Sequence, residues 1–242
     1  MIKKILITKD RKKFYVRDIN KDVHTQFGLI KARDLKKKSG KIKSNTGKEF
    51  FIMPPGFADK FARIKRLAQI ITLKDIATII TETGINHTSK VVDAGAGSGA
   101  LACALAHLCK QVTTYEIRKS FIKIVKENKN LFELKNLKIK NKDIYKKIDE
   151  RNLDLITLDL PEPWKAINNA AKSLKTGAFL VAYLPQITQV IEFVKQLNNN
   201  KDFIYIKTLE NIQRRWNIDG KIARPESRMI GHTAFIVFAR RV

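Results

Sequence analysis

Only two cysteines, Cys103 and Cys109, and four histidines occur in 242 residues. Neither type falls at zinc-ligand spacing, and two thiols supply no disulfide framework. A fold stapled by metal or disulfides is therefore excluded, no metal site is expected, and a reducing compartment fits. Apolar runs are short as well; none approaches the roughly 20 residues that cross a bilayer. Residues 1–7 are too brief and too interrupted by lysine for a signal peptide, so the expectation is a soluble, cytoplasmic protein with no membrane partner. Internal repeats and low-complexity tracts are missing. Acidic residues are scarce: 23 Asp and Glu face 48 Lys and Arg, a formal charge of +25.

That excess favours a polyanionic partner, nucleic acid first. A lysine-rich composition also arises from genome bias or heat adaptation, but the charge is uneven. Residues 1–65 hold 19 bases against 6 acids, a net +13, and the much longer remainder holds only +12. The first quarter is thus the expected contact surface, with Lys36, Lys37, Lys38, Lys41 and Lys43 at its centre. Short apolar runs at residues 12–17, 23–32 and 49–53, separated by turn signals, predict a small β domain over residues 1–65. Residues 57–66 read as a helical connector after Pro54-Pro55-Gly56.

Residues 66–242 change character, with helical patterns alternating with buried-strand runs. Helical character is expected over residues 68–83, 100–109 and 121–130. Strands are expected at residues 90–92, 112–115, 137–140, 153–158 and 178–184, with closing strands at residues 203–209 and 233–239. Such alternation implies an α/β fold with a largely parallel sheet.

Val91-Val92-Asp93-Ala94-Gly95-Ala96-Gly97-Ser98-Gly99 runs from strand through glycine turn into helix, where missing Cβ atoms let a nucleotide-like cofactor approach the backbone. The spacing alone also satisfies a loose dinucleotide fingerprint, with Glu116 placed for ribose hydroxyls. Three acids at successive strand ends favour S-adenosyl-L-methionine over NAD. Asp93 would be unhelpful beside a pyrophosphate but suits a cationic ligand, Asp143 is placed to meet an adenine amine, and Asp159 opens Asp159-Leu160-Pro161-Glu162-Pro163-Trp164. Asp93 or Asp143 taken singly reads equally well as a turn cap.

With these motifs the chain resembles the class I S-adenosylmethionine-dependent methyltransferases, and more narrowly the tRNA adenine-N1 methyltransferases of the T-loop, positions 57 and 58. The likeness is carried by His24-Thr25-Gln26-Phe27-Gly28, Ala68-Gln69-Ile70-Ile71 before Lys74-Asp75, the glycine turn, and Thr114-Tyr115-Glu116-Ile117-Arg118. The Asp159 motif, Tyr183-Leu184-Pro185, and Arg224-Pro225 to His232-Thr233 complete it. The chain departs from the family's usual pattern at Thr72, Leu73 and Ala234.

The resemblance implies a Rossmann-like seven-stranded sheet, a homotetramer and tRNA as partner. It also implies a cofactor site of Gly95, Ala96, Gly97, Ser98 and Gly99, with Asp93 beside them, Glu116 and Ile117 at the ribose, Asp143 and Ile144 at the adenine, and Gln69, Ile70 and Ile71 at the methionine end. Asp159 would face both cofactor and target base, with Tyr183 as a second catalytic residue. Adenine N1 has its own lone pair, so Asp159 is expected to orient the base and stabilise its developing positive charge. Trp164 and Tyr183 could equally be base walls or core aromatics, and His232 reads as a structural hydrogen-bonding residue. A noncatalytic tRNA-binding subunit, and a methyltransferase for another substrate, are the competing readings.

Overall fold

The computed structural model describes all 242 residues, Met1 to Val242. The chain divides into two compact units, Met1–Lys65 with Asn130–Glu133, and Arg66–Lys129 with Leu134–Val242.

In the first unit, β1 (Lys4–Ile7), β2 (Lys13–Val16), β3 (Val23–Thr25) and β4 (Gly28–Ile30) precede a single helical turn, α1 (Ala32–Leu35). Then come β5 (Gly40–Lys43), β6 (Glu49–Met53) and a short helix, α2 (Phe57–Phe61). Four of the strands form an antiparallel sheet in the order β2-β1-β6-β5. Leu6, Val16, Phe50 and Ile52 from the sheet bury against Ile30 and Leu35, and Phe14, Phe27 and Phe50 meet edge to face at 5.8–6.2 Å. Residues 23–32, read from sequence as one strand, are instead a hairpin followed by a helical turn. The Thr25 hydroxyl donates to the Gly28 carbonyl at 2.9 Å and accepts from the Phe27 N–H at 3.0 Å. Gly28 at φ +95° completes the reversal. The expected connector helix also stops early, at Phe61.

The second unit opens with α3 (Leu73–Thr83) and continues β7 (Lys90–Ala94), α4 (Ala100–Leu108), β8 (Gln111–Tyr115), α5 (Lys119–Phe132), β9 (Leu137–Lys140) and β10 (Leu153–Leu158). After a 3-10 turn at Pro163–Ala166 follow α6 (Ile167–Ala171), β11 (Leu174–Leu184), α7 (Ile187–Asn198) and β12 (Phe203–Glu210). A separate hairpin, β13 (Trp216–Asp219) and β14 (Ile222–Pro225), precedes β15 (Phe235–Arg241). The seven-stranded sheet has the order β12-β15-β11-β10-β7-β8-β9. Its neighbours are parallel from β11 to β9, and only β15 runs against its partners. This is the largely parallel sheet expected from the alternating pattern. Helices α4 and α7 pack on it, α4 against β7, β8 and β9, and α7 against β11, β12 and β15. Cys103 and Cys109 are both free and buried as small core residues.

Chain order reverses at β7: β8 and β9 lie on one side of it, β10 and β11 on the other. In open parallel sheets the crevice at the carboxyl ends of such neighbouring strands is where ligands bind. Helix α3 starts later than the apolar pattern suggested. Thr72 adopts extended backbone (φ −79°, ψ 159°) as its N-cap, so Gln69, Ile70 and Ile71 precede the helix as irregular chain.

Candidate active site

Strand β7 ends at Ala94, and the chain then turns through Gly95, Ala96, Gly97 and Ser98 before α4. The N–H groups of Gly95 and Ala96 both donate to the Tyr115 carbonyl, at 3.1 and 3.2 Å, which ties the turn to the end of β8. Glu116, one residue further, accepts from the Gly97 N–H at 3.1 Å and from the Arg118 N–H at 2.9 Å. Oε1 also takes the Arg118 guanidinium at 3.4 Å, which leaves Oε2 with acceptor capacity. Ser98 takes the Leu67 N–H on its hydroxyl at 3.1 Å, anchoring the start of the segment that carries Gln69, Ile70 and Ile71.

The glycines serve different ends. At Gly95 (φ +83°) an added Cβ would lie 1.9 Å from the Asp159 carbonyl oxygen, and at Gly99 (φ +78°) 3.0 Å from a Val125 methyl. These two are demanded by the protein's own packing. Gly97 (φ +51°) meets nothing nearer than the Gly95 carbonyl at 3.9 Å, so its bare backbone faces open space.

A cleft results, lined by Gln69, Ile70, Ile71, Asp93, Gly95, Ala96, Gly97, Ser98 and Asp159, together with Ala100 and Leu101 from the first turn of α4. No basic side chain lines it. The Asp93 carboxyl is turned into the sheet, accepting from Thr114 at 2.7 Å and Thr157 at 2.9 Å. These are its cross-strand neighbours on β8 and β10. Asp93 is therefore a brace across three strands rather than a turn cap, and burial, with the charge of Glu116, pushes its pKa up to about 6.

Asp159 follows β10 directly. Its N–H continues the sheet to the Ala94 carbonyl at 2.9 Å, while its carboxyl has no hydrogen-bonding partner in the protein and faces the cleft. Burial first, then the charge of Asp93, raise its pKa to about 7, against the pull of Arg118. The Pro161-Glu162-Pro163 stretch beyond it is held by the Glu162 N–H to the Tyr145 hydroxyl (3.3 Å) and by Gln189 donating to the Pro161 carbonyl (3.0 Å).

Other residues singled out from sequence lie outside the cleft lining. Asp143 caps a turn, accepting from the Tyr145 N–H at 2.9 Å. Ile144 is in the core and Ile117 is exposed. Trp164 packs on the central core cluster, as the core reading had it. At the end of β15, Arg240 and Arg241 donate through Nε to the Gly177 and Ala171 carbonyls. Tyr183 donates its hydroxyl to Asp75 at 3.1 Å. Sequence reading missed Ala100 and Leu101, and it missed Thr114 and Thr157, whose hydroxyls face Asp93 because paired strands bring them into register.

His232 bridges two acceptors, Glu210 through Nδ1 at 2.6 Å and the Pro185 carbonyl through Nε2 at 2.9 Å. Only the doubly protonated ring can donate to both. The Glu210 bond and then the Pro185 carbonyl raise its pKa, against nearby Lys74. The sign follows: stabilisation is full below the unfolded value near 6.5 and is lost as pH climbs through the raised folded one. Thermal scans should show His232→Gln lowering the melting temperature more at pH 5.5 than at pH 9; an equal drop at both would refute the charged bridge.

A cleft of carboxylates, open glycine backbone and no cations suits a positively charged, phosphate-free ligand and disfavours a pyrophosphate. Known proteins agree with that chemistry. The chain is 34% identical to the tRNA (adenine(57)-N(1)/adenine(58)-N(1))-methyltransferase TrmI of Methanocaldococcus jannaschii, over 98% of this chain and 94% of that one. Among solved structures it is similar to the tRNA (m1A58) methyltransferase TrmI of Aquifex aeolicus, with a TM-score of 0.83, 28% identity, and coverage of 99% of this chain and 96% of that one. A SAM-dependent O-methyltransferase from Thermotoga maritima superposes with a TM-score of 0.88 at 31% identity, covering 100% of this chain and 93% of that one. A family model described as tRNA methyltransferase complex GCD14 subunit matches residues 62–222, and the chain belongs to that family of tRNA methyltransferases.

Proposed function

We propose that the protein is a methyltransferase that places a methyl group from S-adenosylmethionine on N1 of adenosine in the tRNA T-loop, at position 58 and, as in the archaeal relative's name, at 57. The carrying observation is the unpartnered Asp159 carboxyl in the cleft at the end of β10, on a residue whose backbone packs against Gly95 of the glycine turn.

S-adenosylmethionine, when bound, supplies a methyl group activated on a positively charged sulfur. Gly95, Ala96, Gly97, Ser98 and Gly99 would hold it along the turn, Asp93 through negative potential, and Gln69, Ile70 and Ile71 at the methionine end. Glu116 would meet the ribose, flanked by Ile117, and Asp143, with Ile144 behind it, the adenine. Adenine N1 attacks with its own lone pair, so no proton must leave first. Positive charge accumulates on the base, and the Asp159 carboxylate, accepting from the N6 amine, orients the ring and stabilises that charge. Tyr183, on the adjoining strand end, would form a wall for the base.

Exposed Lys36, Lys38 and Lys43, which lack acidic partners, support tRNA backbone contact by the N-terminal unit. The hairpin of β13 and β14 supports self-association, as in the homotetramer that the resemblance implies. Trp216, Ile218 and Ile222 are all more than half exposed, and a two-stranded ribbon alone is marginal in water. Sedimentation should show Trp216→Glu with Ile218→Lys reducing the oligomer; an unchanged mass would rule the hairpin out. A cytoplasmic location fits the substrate.

The deciding experiment is incubation of the protein with labelled cofactor and unmodified tRNA, followed by nucleoside mass spectrometry. Label on N1 of a T-loop adenosine is expected. A ribose or other O-methyl product would favour the oxygen-acceptor reading that the Thermotoga likeness and the raised Asp159 pKa permit, and would overturn the assignment.

A further inference from the structure

Lys74 and Asp75 lie outside the cleft lining, yet Asp75 is fully buried and collects five donors. Oδ1 accepts from Lys74 at 2.8 Å and Asn211 at 3.2 Å. Oδ2 accepts from Thr72 at 3.0 Å, Tyr183 at 3.1 Å and Thr233 at 2.8 Å. Lys74 closes the cluster, donating to the Thr233 hydroxyl at 2.6 Å and the Asn211 carbonyl at 2.9 Å. Burial opposes the charge on Asp75, but the bonds from Lys74, Thr233, Asn211 and Thr72 hold its pKa below the usual carboxylate range. At neutral pH this carboxylate is ionised, and every donor around it is committed.

Donors so placed far exceed what stapling a helix to a strand requires, and one of them leads to the site. Leu158 on β10 pairs with Ala182 on β11. The next residues, Asp159 just past β10 and Tyr183 near the end of β11, therefore lie side by side. Burial raises the Tyr183 phenol pKa, and the charges of Asp75 and Asp159 raise it further. A phenol that donates to an ionised carboxylate keeps its proton. What Tyr183 can offer a substrate is its ring.

We propose that Lys74, Asp75 and Thr233 are positioning residues that lock the Tyr183 hydroxyl, so that its ring stands as a fixed wall beside Asp159 for the incoming base. This rests on the reading of an aromatic acceptor given above. The unit ties the turn before α3, the end of β11 and the start of β15 to one carboxylate, so the wall is set by the fold rather than by induced contact. A plain staple would affect stability and leave turnover alone.

A double-mutant cycle separates the two roles. Tyr183→Phe, Asp75→Asn and the double variant are assayed for kcat and KM with tRNA, and cofactor affinity is followed by calorimetry. Tyr183→Phe is expected to lower kcat/KM for tRNA roughly tenfold, with cofactor affinity within about twofold of wild type. The double variant should be no worse than the poorer single one, because both changes cut the same link. Should Asp75→Asn fail to fold, Thr233→Val takes its place in the cycle. Wild-type kinetics for Tyr183→Phe, penalties that multiply, or cofactor affinity falling in step with turnover would each overturn the positioning role. Failure of the wild-type protein to methylate tRNA would instead sink the functional assignment.

Discussion

Replacing Asp159 with Asn is expected to lower kcat on tRNA by roughly 10²- to 10³-fold, the loss seen when a preorganised group facing developing charge is removed. Cofactor affinity should change far less, since the Gly95 to Ser98 backbone and Glu116 are untouched. Asn retains the shape and can still accept from an N6 amine through its carbonyl, so the experiment isolates charge. The pH profile provides a second reading. With a folded pKa of about 7, raised chiefly by burial, the Asp159 carboxyl of the free enzyme is neutral in mild acid. For wild type, kcat/KM should therefore rise with pH through about 7 and flatten above it, and the Asn variant should lose that limb.

Stability should move the opposite way. Between the unfolded value near 3.9 and about 7, the folded chain keeps a proton on Asp159 that the unfolded chain has shed. Stability from this group is thus complete below the unfolded value and falls as pH rises through the folded one. Asn never ionises, so the variant should be more stable than wild type at pH 8, by about 2 kcal/mol after allowing for the open side of the cleft, and little different at pH 4. A gain in stability with a loss of turnover marks a charge kept for chemistry. Wild-type turnover in the variant, or a destabilised variant at pH 8, would refute the proposed role of Asp159.

Local pattern and tertiary register divide what the chain discloses in advance. The parallel sheet was legible because each strand is an apolar run between helical periods, and residues 137–140 and 153–158 match their strands end for end. Residues 23–32 misled because Phe27 continues the apolar pattern from Val23 to Leu29, while the reversal is made by the Thr25 side chain and Gly28. The hairpin at β13 and β14 carries a usable signal: Trp216 and Ile218 alternate with polar residues up to Asp219-Gly220, and Ile222 follows the turn. At the site, the glycines and Asp159 announce themselves, because few other chemistries place an acid and prolines at a strand end. The Asp75 cluster does not. Its members stand at positions 72, 74, 75, 183, 211 and 233, and nothing short of the fold says that one carboxylate collects them. Thr72, a departure from the family pattern, supplies one of the five donors to Asp75.

The same division predicts that two glycines two residues apart will fail differently. Gly95→Ala forces a Cβ to within 1.9 Å of the Asp159 carbonyl oxygen at a φ of +83°. Neither neighbour can retreat, since the Asp159 N–H is bonded to the Ala94 carbonyl and the Gly95 N–H to the Tyr115 carbonyl. The left-handed backbone alone costs about 1–2 kcal/mol, and prising β7 from β10 adds overpacking of about 1–3 kcal/mol. A melting temperature lowered by roughly 4–20 °C is expected, using ~2–4 °C per kcal/mol for a chain of this size, along with loss of activity. Gly97→Ala carries the backbone penalty but meets no atom closer than 3.9 Å. It should fold and melt within about 5 °C of wild type, yet bind S-adenosylmethionine at least tenfold more weakly, because its methyl occupies the space into which the bare backbone opens. Calorimetry and thermal scans on the pair decide the matter. If Gly97→Ala binds cofactor like wild type, the ligand does not lie along this turn, and the assignment of the cleft fails with it.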